Sequence, residues 1–218
     1  MSPSKRSISS KIRRFWSTPL PDKLNVIQMG FYRLKGILYY RHVFGSFGSG
    51  SVLYKPMMLC TPRFMHIGKN VTIRQGVRLE AIPLDPDNPP ELRIGDNVNI
   101  EQDVHIVLVG KIHIGDNVSI TARCSLMGGS HPFFDVRDPV KIGDRLAGEK
   151  TIIEIGEGSF LGLNTVIMPN VKLGRYVVVG SSSVVKRNVP DHSVVNGNPA
   201  TLQMRYDSEA DSWLVSPK

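Results

Sequence analysis

Aliphatic side chains return every six positions along most of the chain. Ile67, Ile73 and Leu79 open the series, and Ile94, Ile100 and Ile106 continue it. Ile114, Ile120 and Leu126 follow, and Ile155, Leu161, Ile167, Leu173, Val179 and Val185 close it. A small side chain stands two places ahead of most of these, as at Val71, Val98, Val118, Cys124, Ser159, Thr165 and Ser183. A period of six fits neither the 3.6 of a helix nor the alternation of a sandwich strand, and a short fixed repeat marks a solenoid. Each unit therefore predicts one flat wall of a triangular prism, with three units of about 18 residues to a turn and turns stacked about 4.8 Å apart. Segments such as Gly68-Lys69-Asn70, Gly95-Asp96-Asn97 and Gly115-Asp116-Asn117 supply residue types that accept bends with positive φ at the corners.

Three departures from the beat predict loops. Pro83 to Pro90 holds four prolines, which cannot donate to a ladder. The phase slips by two around Gly110-Lys111, and the longest excursion separates Leu126 from Ile155. Ahead of the repeats, Leu24, Ile27, Phe31, Leu34 and Leu38 fall at helical spacing, so a helix starting near Pro21-Asp22 carries one apolar stripe. The stripe suits a cap over the open end of the coil, which every solenoid must cover. The expected organisation is a basic helical segment over 1–50, a coil over 51–206 with external loops at 80–92 and 127–152, and a tail over 207–218.

Charge sharpens the reading of the helix. The formal charge of +8 lies wholly in residues 1–41, where nine Lys or Arg face the single acid Asp22, leaving 18 basic and 18 acidic residues elsewhere. A basic amphipathic helix preceded by Arg13-Arg14-Phe15-Trp16 also suits an anionic membrane face, so peripheral membrane contact is a second expectation. These bases form no known nucleic-acid reader, and nucleic acid is not an expected partner. With no apolar run near the ~20 residues of a membrane span and no signal-peptide pattern, the expected location is cytoplasmic. Cys60 and Cys124 read as buried small hydrophobes, not as a disulfide or a nucleophile.

The Ile-Gly-Asp-Asn-Val repeats, the segment Gly128-Gly129-Ser130-His131-Pro132 and the ending Val195-Asn196-Gly197-Asn198-Pro199-Ala200 resemble the hexapeptide-repeat acyltransferases, in particular their galactoside, maltose and polysaccharide O-acetyltransferase branch. The resemblance covers about residues 50–206. It implies an all-β fold, a left-handed parallel β-helix with an N-terminal helical cap, and an acetyl-CoA-dependent O-acetyltransferase acting on a sugar hydroxyl in surface polysaccharide or lipopolysaccharide assembly. It also implies a homotrimer, with the coenzyme in the groove between neighbouring prisms, and no metal requirement.

Residue by residue, the resemblance makes His131 the general base, and a neutral imidazole is chemically suited to take the proton of an attacking hydroxyl. Glu101 falls where relatives place an Asn that holds the acceptor, a departure that leaves it as candidate acceptor ligand or partner of the base. Phe160, Gly162, Gly180 and Ser181, with Ser183 nearby, are expected along the coenzyme's path, and Lys186 and Arg187 at its phosphates. Gly128 and Gly162 are candidate oxyanion donors. His113 and His105 share the outward phase of His131, which raises a metal site, yet the close His pair of β-helical carbonic anhydrases is missing from the sequence. An N-acyltransferase of an amino sugar or amino acid, and a non-catalytic β-helical assembly subunit, remain as alternatives.

Overall fold

A computed structural model of the protein describes residues 16, 17 and 19–215. Helix α1 (Leu20–Lys35) runs into a π-helical turn (Gly36–Tyr40) and the short α2 (Arg41–Val43). The coil then starts. Its first turn holds β1 (Ser46–Phe47), β2 (Val52–Leu53) and β3 (Met58–Cys60), ahead of residue 51 where the spacing places its beginning. The second holds β4 (Met65–Ile67), β5 (Thr72–Ile73) and β6 (Arg78–Ala81); the third β7 (Glu91–Ile94), β8 (Asn99–Ile100) and β9 (His105–Leu108). The fourth has β10 (Lys111–Ile114), β11 (Ser119–Ile120) and β12 (Ser125–Gly128); the fifth β13 (Ile152–Ile155), β14 (Phe160–Leu161) and β15 (Val166–Ile167). The sixth has β16 (Lys172–Leu173), β17 (Val178–Val179) and β18 (Val184–Val185). Strand β19 (Ser193–Gly197) continues the second face, and β20 (Ala200–Asp207) and β21 (Ser212–Val215) close the end as an antiparallel hairpin.

Every third strand pairs in parallel, giving three sheets that form the first, second and third faces of a left-handed parallel β-helix. The register explains the six-residue beat: Ile73, Ile100, Ile120, Leu161 and Val179 stack along the second face, all fully buried. Each such aliphatic side chain contributes about 1.5–3 kcal/mol on burial. The small companions share the interior, and the polar ones are satisfied there: Ser159 Oγ donates to Gly174 O at 3.1 Å and Thr165 Oγ1 to Gly162 O at 2.7 Å. Positive φ falls on Asn70, Asn97 and Asn117, not on the glycines before them. Gly68 and Gly95 are needed for closeness, since a Cβ on Gly68 would overlap the carbonyl of Gly95 and one on Gly95 the carboxylate of Asp116.

The stripe expected to cap the coil does not do so: Leu24, Ile27, Phe31, Leu34 and Leu38 are each more than half exposed. The helix closes the end of the coil with another side. Tyr32 meets the Tyr54 ring at 4.8 Å, Gly36 lies so close that a Cβ would stand 3.1 Å from the Phe47 ring, and Tyr40, Phe44 and Phe47 form an aromatic cluster. Rings bury more area than the aliphatic stripe, and they decide which face turns inward. Cys124 is buried as expected, but Cys60 is only half-buried, because its register places it beside Glu80 on the outer surface of the third face. Both longer loops, 82–90 and 129–151, leave from the corner between the third and first faces.

Candidate active site

His131 lies three residues beyond the end of β12, at the root of the 129–151 loop, with its ring exposed. The two legs of the loop are pinned together at this point: Ser130 N donates to Ala147 O at 2.8 Å and Ala147 N to Ser130 O at 3.0 Å. Thr151 Oγ1 adds a bond to Gly128 O at 2.6 Å. His131 Nδ1 lies 2.7 Å from the carbonyl oxygen of Arg145. A carbonyl only accepts, so Nδ1 carries the proton and Nε2 is left with a free lone pair. That is the tautomer of a base.

Arg145 was not legible as a site residue, yet it organises the whole excursion. Its side chain is only 12% exposed. Nε donates to Val140 O at 2.7 Å, Nη1 to Asp135 O at 3.0 Å and Nη2 to Asp138 O at 2.6 Å, while the Asp138 carboxylate lies 3.1 Å from Nε. Three hydrogen bonds from one guanidinium thus take the place of the regular ladder that the loop lacks. The same residue's main chain aims His131.

Glu101 stands at the opposite edge of the third face. At the corner between the second and third faces, the residues that follow the inward aliphatic stack from coil to coil as Tyr54, Arg74, Glu101, Thr121, Gly162 and Gly180. Glu101 Oε2 is 3.6 Å from Arg74 Nε. The third face, five to six residues at about 3.3 Å each, separates this corner from His131 by on the order of 15–20 Å. One chain therefore does not bring the two together.

The other expected residues divide between the same two edges. Phe160, exposed on the second face, leads into the Gly162 corner, with Gly180 and the exposed Ser181 one coil further on. Lys186 and Arg187, both exposed, follow β18 at the corner from which His131 departs, two coils beyond it. Three details of the expected path are corrected. Ser183 is buried, with its hydroxyl 3.0 Å from Asn196 Oδ1, so it lines no channel. Gly180 N–H donates to Val195 O at 2.8 Å and is not open. Gly162 N–H is bonded to Val179 O at 2.8 Å, which removes it as an oxyanion donor, and both glycines are instead required by tight stacking: a Cβ on Gly162 would sit 2.6 Å from Ser181 N.

The histidines do not share one phase. Ile94 pairs with Ile114, so the slip at Gly110 makes that coil longer than 18 residues, and residues past Gly128 have left the coil altogether. His105 is on the third face beside Arg78 and Ser125. His113 is on the first face, its Nε2 3.0 Å from Glu91 Oε1. The hydrogen bond from Arg93, together with His113, holds the Glu91 carboxyl down at about 2.

The geometry can be set against known proteins. Residues 152–187 match the model of the bacterial transferase hexapeptide (six repeats). WbbJ of Escherichia coli (strain K12), which carries the name of a lipopolysaccharide biosynthesis O-acetyl transferase, is 27% identical over 188 residues, covering 84% of this chain and 92% of WbbJ. WcaF of the same strain, named for colanic acid biosynthesis as an acetyltransferase, is 32% identical over 144 residues, 66% of this chain and 71% of WcaF. Among solved structures, a mutant of AntD, an N-acyltransferase from Bacillus cereus in complex with dTDP and coenzyme A, matches with a TM-score of 0.64 at 20% identity, over 81% of this chain and 89% of that one. The last likeness shows the fold. Given the WcaF match, the repeat and the coil built from it, the chain belongs to the hexapeptide-repeat acyltransferases.

Proposed function

We propose that the protein transfers acetyl from acetyl-CoA to a hydroxyl of a sugar, in the assembly of a surface polysaccharide or lipopolysaccharide. The observation that carries this reading is the exposed imidazole whose Nδ1–H is tied to a carbonyl and whose Nε2 has no hydrogen-bond partner among the described residues. WbbJ and WcaF, by their names, support the acceptor class. The thioester supplies the electrophilic carbonyl. The sugar oxygen attacks it as Nε2 takes the hydroxyl proton; the C–S bond then breaks, and the departing thiolate takes the proton back from the imidazolium. Exposed Phe160 and Ser181 fit the pantetheine arm, and Lys186 and Arg187 the phosphates. The test is acetyl transfer to polysaccharide fragments, read as an ester that mild alkali removes. An alkali-stable amide as the product overturns the reading.

Because the site residues lie on two edges of one prism, the working unit in this reading is a homotrimer, in which the His131 edge of one chain faces the Glu101 edge of the next. The loop that carries His131 leaves Phe133, Phe134 and Val136 highly exposed, an apolar surface for that neighbour to cover. Glu101→Gln and His131→Ala, each impaired alone, are expected to complement when co-expressed, because about one site in four then has an intact residue from each chain. Measured transfer should recover toward that fraction; no recovery places both residues of each site on one chain.

The exposed stripe of α1 rests, in the same reading, on an anionic membrane face. Lys23 and Lys35 flank the stripe on the helical wheel, and each base near such a surface contributes about 1 kcal/mol. The segment Arg13-Arg14-Phe15 lies outside the described residues. No described helix is long and apolar enough to cross a membrane. The full chain is expected to sediment with phosphatidylglycerol vesicles and not with phosphatidylcholine vesicles, and Leu24→Ser with Phe31→Ser to lose that binding while remaining a trimer. Equal sedimentation with both lipids, or a trimer broken by the substitutions, assigns the stripe elsewhere.

A further inference from the structure

The corner column that passes through Glu101 begins with features the transfer reaction does not use. Arg74 lies one coil below Glu101, with its guanidinium 5.5 Å from the centroid of the Tyr54 ring. Tyr54 is in turn braced by Tyr32 of α1. Arg74 Nε is shut off from solvent and makes no hydrogen bond, since the Glu101 oxygen at 3.6 Å is beyond bonding distance. In front of it, between α1 and the corner, opens a cavity of about 550 Å³ lined by Asn25, Gln28, Tyr54, Lys55, Arg74 and Gln75 among others.

The lining has two cations and no carboxylate. A neutral sugar is commonly held by stacking on an aromatic face, but the Tyr54 face is already covered by the guanidinium. What remains on offer is a planar fork of donors, held in place by the ring and backed by a second positive charge and three side-chain amides. That set matches the paired oxygens of a carboxylate or phosphate.

We infer that this cavity binds an acidic group of the acceptor, a carboxylate or phosphate carried on the acetylated sugar or directly attached to it. The inference rests on the proposed transfer to a sugar hydroxyl, with Glu101 as the acceptor ligand of that site. Successive coils are about 4.8 Å apart, so an anion at Arg74 and a hydroxyl at Glu101 are separated by about one pyranose ring. A long spacer between charge and hydroxyl does not fit this distance. Glu101 has a further role in this arrangement: it offsets one of the two positive charges, so that the site favours a single acidic group over a dense polyanion.

The inference is tested by titrating the full chain with glucose, glucuronate and glucose 1-phosphate and following binding by calorimetry or protein-observed NMR. At least one of the two acids is expected to bind about tenfold or more tightly than glucose. Tighter binding of glucuronate identifies the carboxylate as the natural group, and tighter binding of glucose 1-phosphate the phosphate. Arg74→Gln should bring the acids to the level of glucose, and Lys55→Gln should reduce the preference. Lys55 makes the second measurement independent of any effect of Arg74 on folding. Equal binding of all three probes, or a preference untouched by both substitutions, overturns the inference. A wild-type protein that prefers the acids yet forms no acetyl ester would instead overturn the proposed reaction, so the two failures are distinguishable.

Discussion

His131→Ala is expected to lower acetyl transfer by about 10²–10⁴-fold, the usual contribution of a positioned base, with little change in the melting temperature. The ring is exposed and stands outside the coil, so its removal opens no cavity in the core. The loop loses one bond to Arg145 O, while the Ser130–Ala147 pairing, the Thr151 bond and the Arg145 side-chain contacts all remain. KM for acetyl-CoA should change little, because the residues placed at the coenzyme lie one to two coils away, on β14 and just after β17 and β18. Steady-state rates with acceptor and donor varied separately check this. A variant that keeps wild-type kcat excludes the imidazole as base.

The six-residue beat revealed the coil because it records something local: which residue of each unit points inward. Ile100, Leu126 and Val179 are buried for the same reason that they are spaced as they are. The corners were legible in kind and less so in detail. Asn70, Asn97 and Asn117 take the positive φ, whereas the neighbouring glycines answer to the stacking of coils, which no single coil's sequence contains. For α1 the sequence marks an apolar stripe but not what lies against it. The inward side is chosen by long-range contacts of Tyr32, Gly36 and Tyr40, and the stripe is left to solvent.

His131 was legible through its neighbours Ser130 and Pro132, and its phase with His113 misled, because counting by 18 fails once the chain leaves the coil at Gly129. Arg74 and Tyr54 share the position of Glu101 in successive units, a signal the spacing did contain and the charge pattern alone did not reveal. Arg145 had none. A loop has no period, and the value of one arginine there comes from carbonyls at 135, 138 and 140 that converge only when the loop has closed.

The convergence on Arg145 leads to the second large expected effect. Arg145→Ala removes three side-chain hydrogen bonds to backbone carbonyls and leaves the Asp138 carboxylate without its partner, all within a segment that has no sheet ladder of its own. Hydrogen bonds from a charged donor are worth about 1.5–3 kcal/mol each, so losing the set releases residues 135–145 even if water replaces part of it. The peptide bond of Arg145 is retained in the variant, but its carbonyl no longer has a fixed position from which to accept the Nδ1–H of His131. The imidazole then samples both tautomers and many orientations, and a misplacement of about 1 Å at a reacting group costs on the order of 10²-fold. Transfer should therefore fall by about that factor in kcat, with KM for acetyl-CoA unchanged and the coil's melting transition shifted only slightly, since β12 and β13 remain paired to their neighbours. Arg145→Lys, which keeps the charge without the planar fork, is expected to recover little of the loss. The measurement that decides is kcat together with hydrogen exchange of the amides at 130 and 147: a fall in rate with faster exchange there supports a positioning role, and wild-type rates with an open loop would mean that His131 needs no such support.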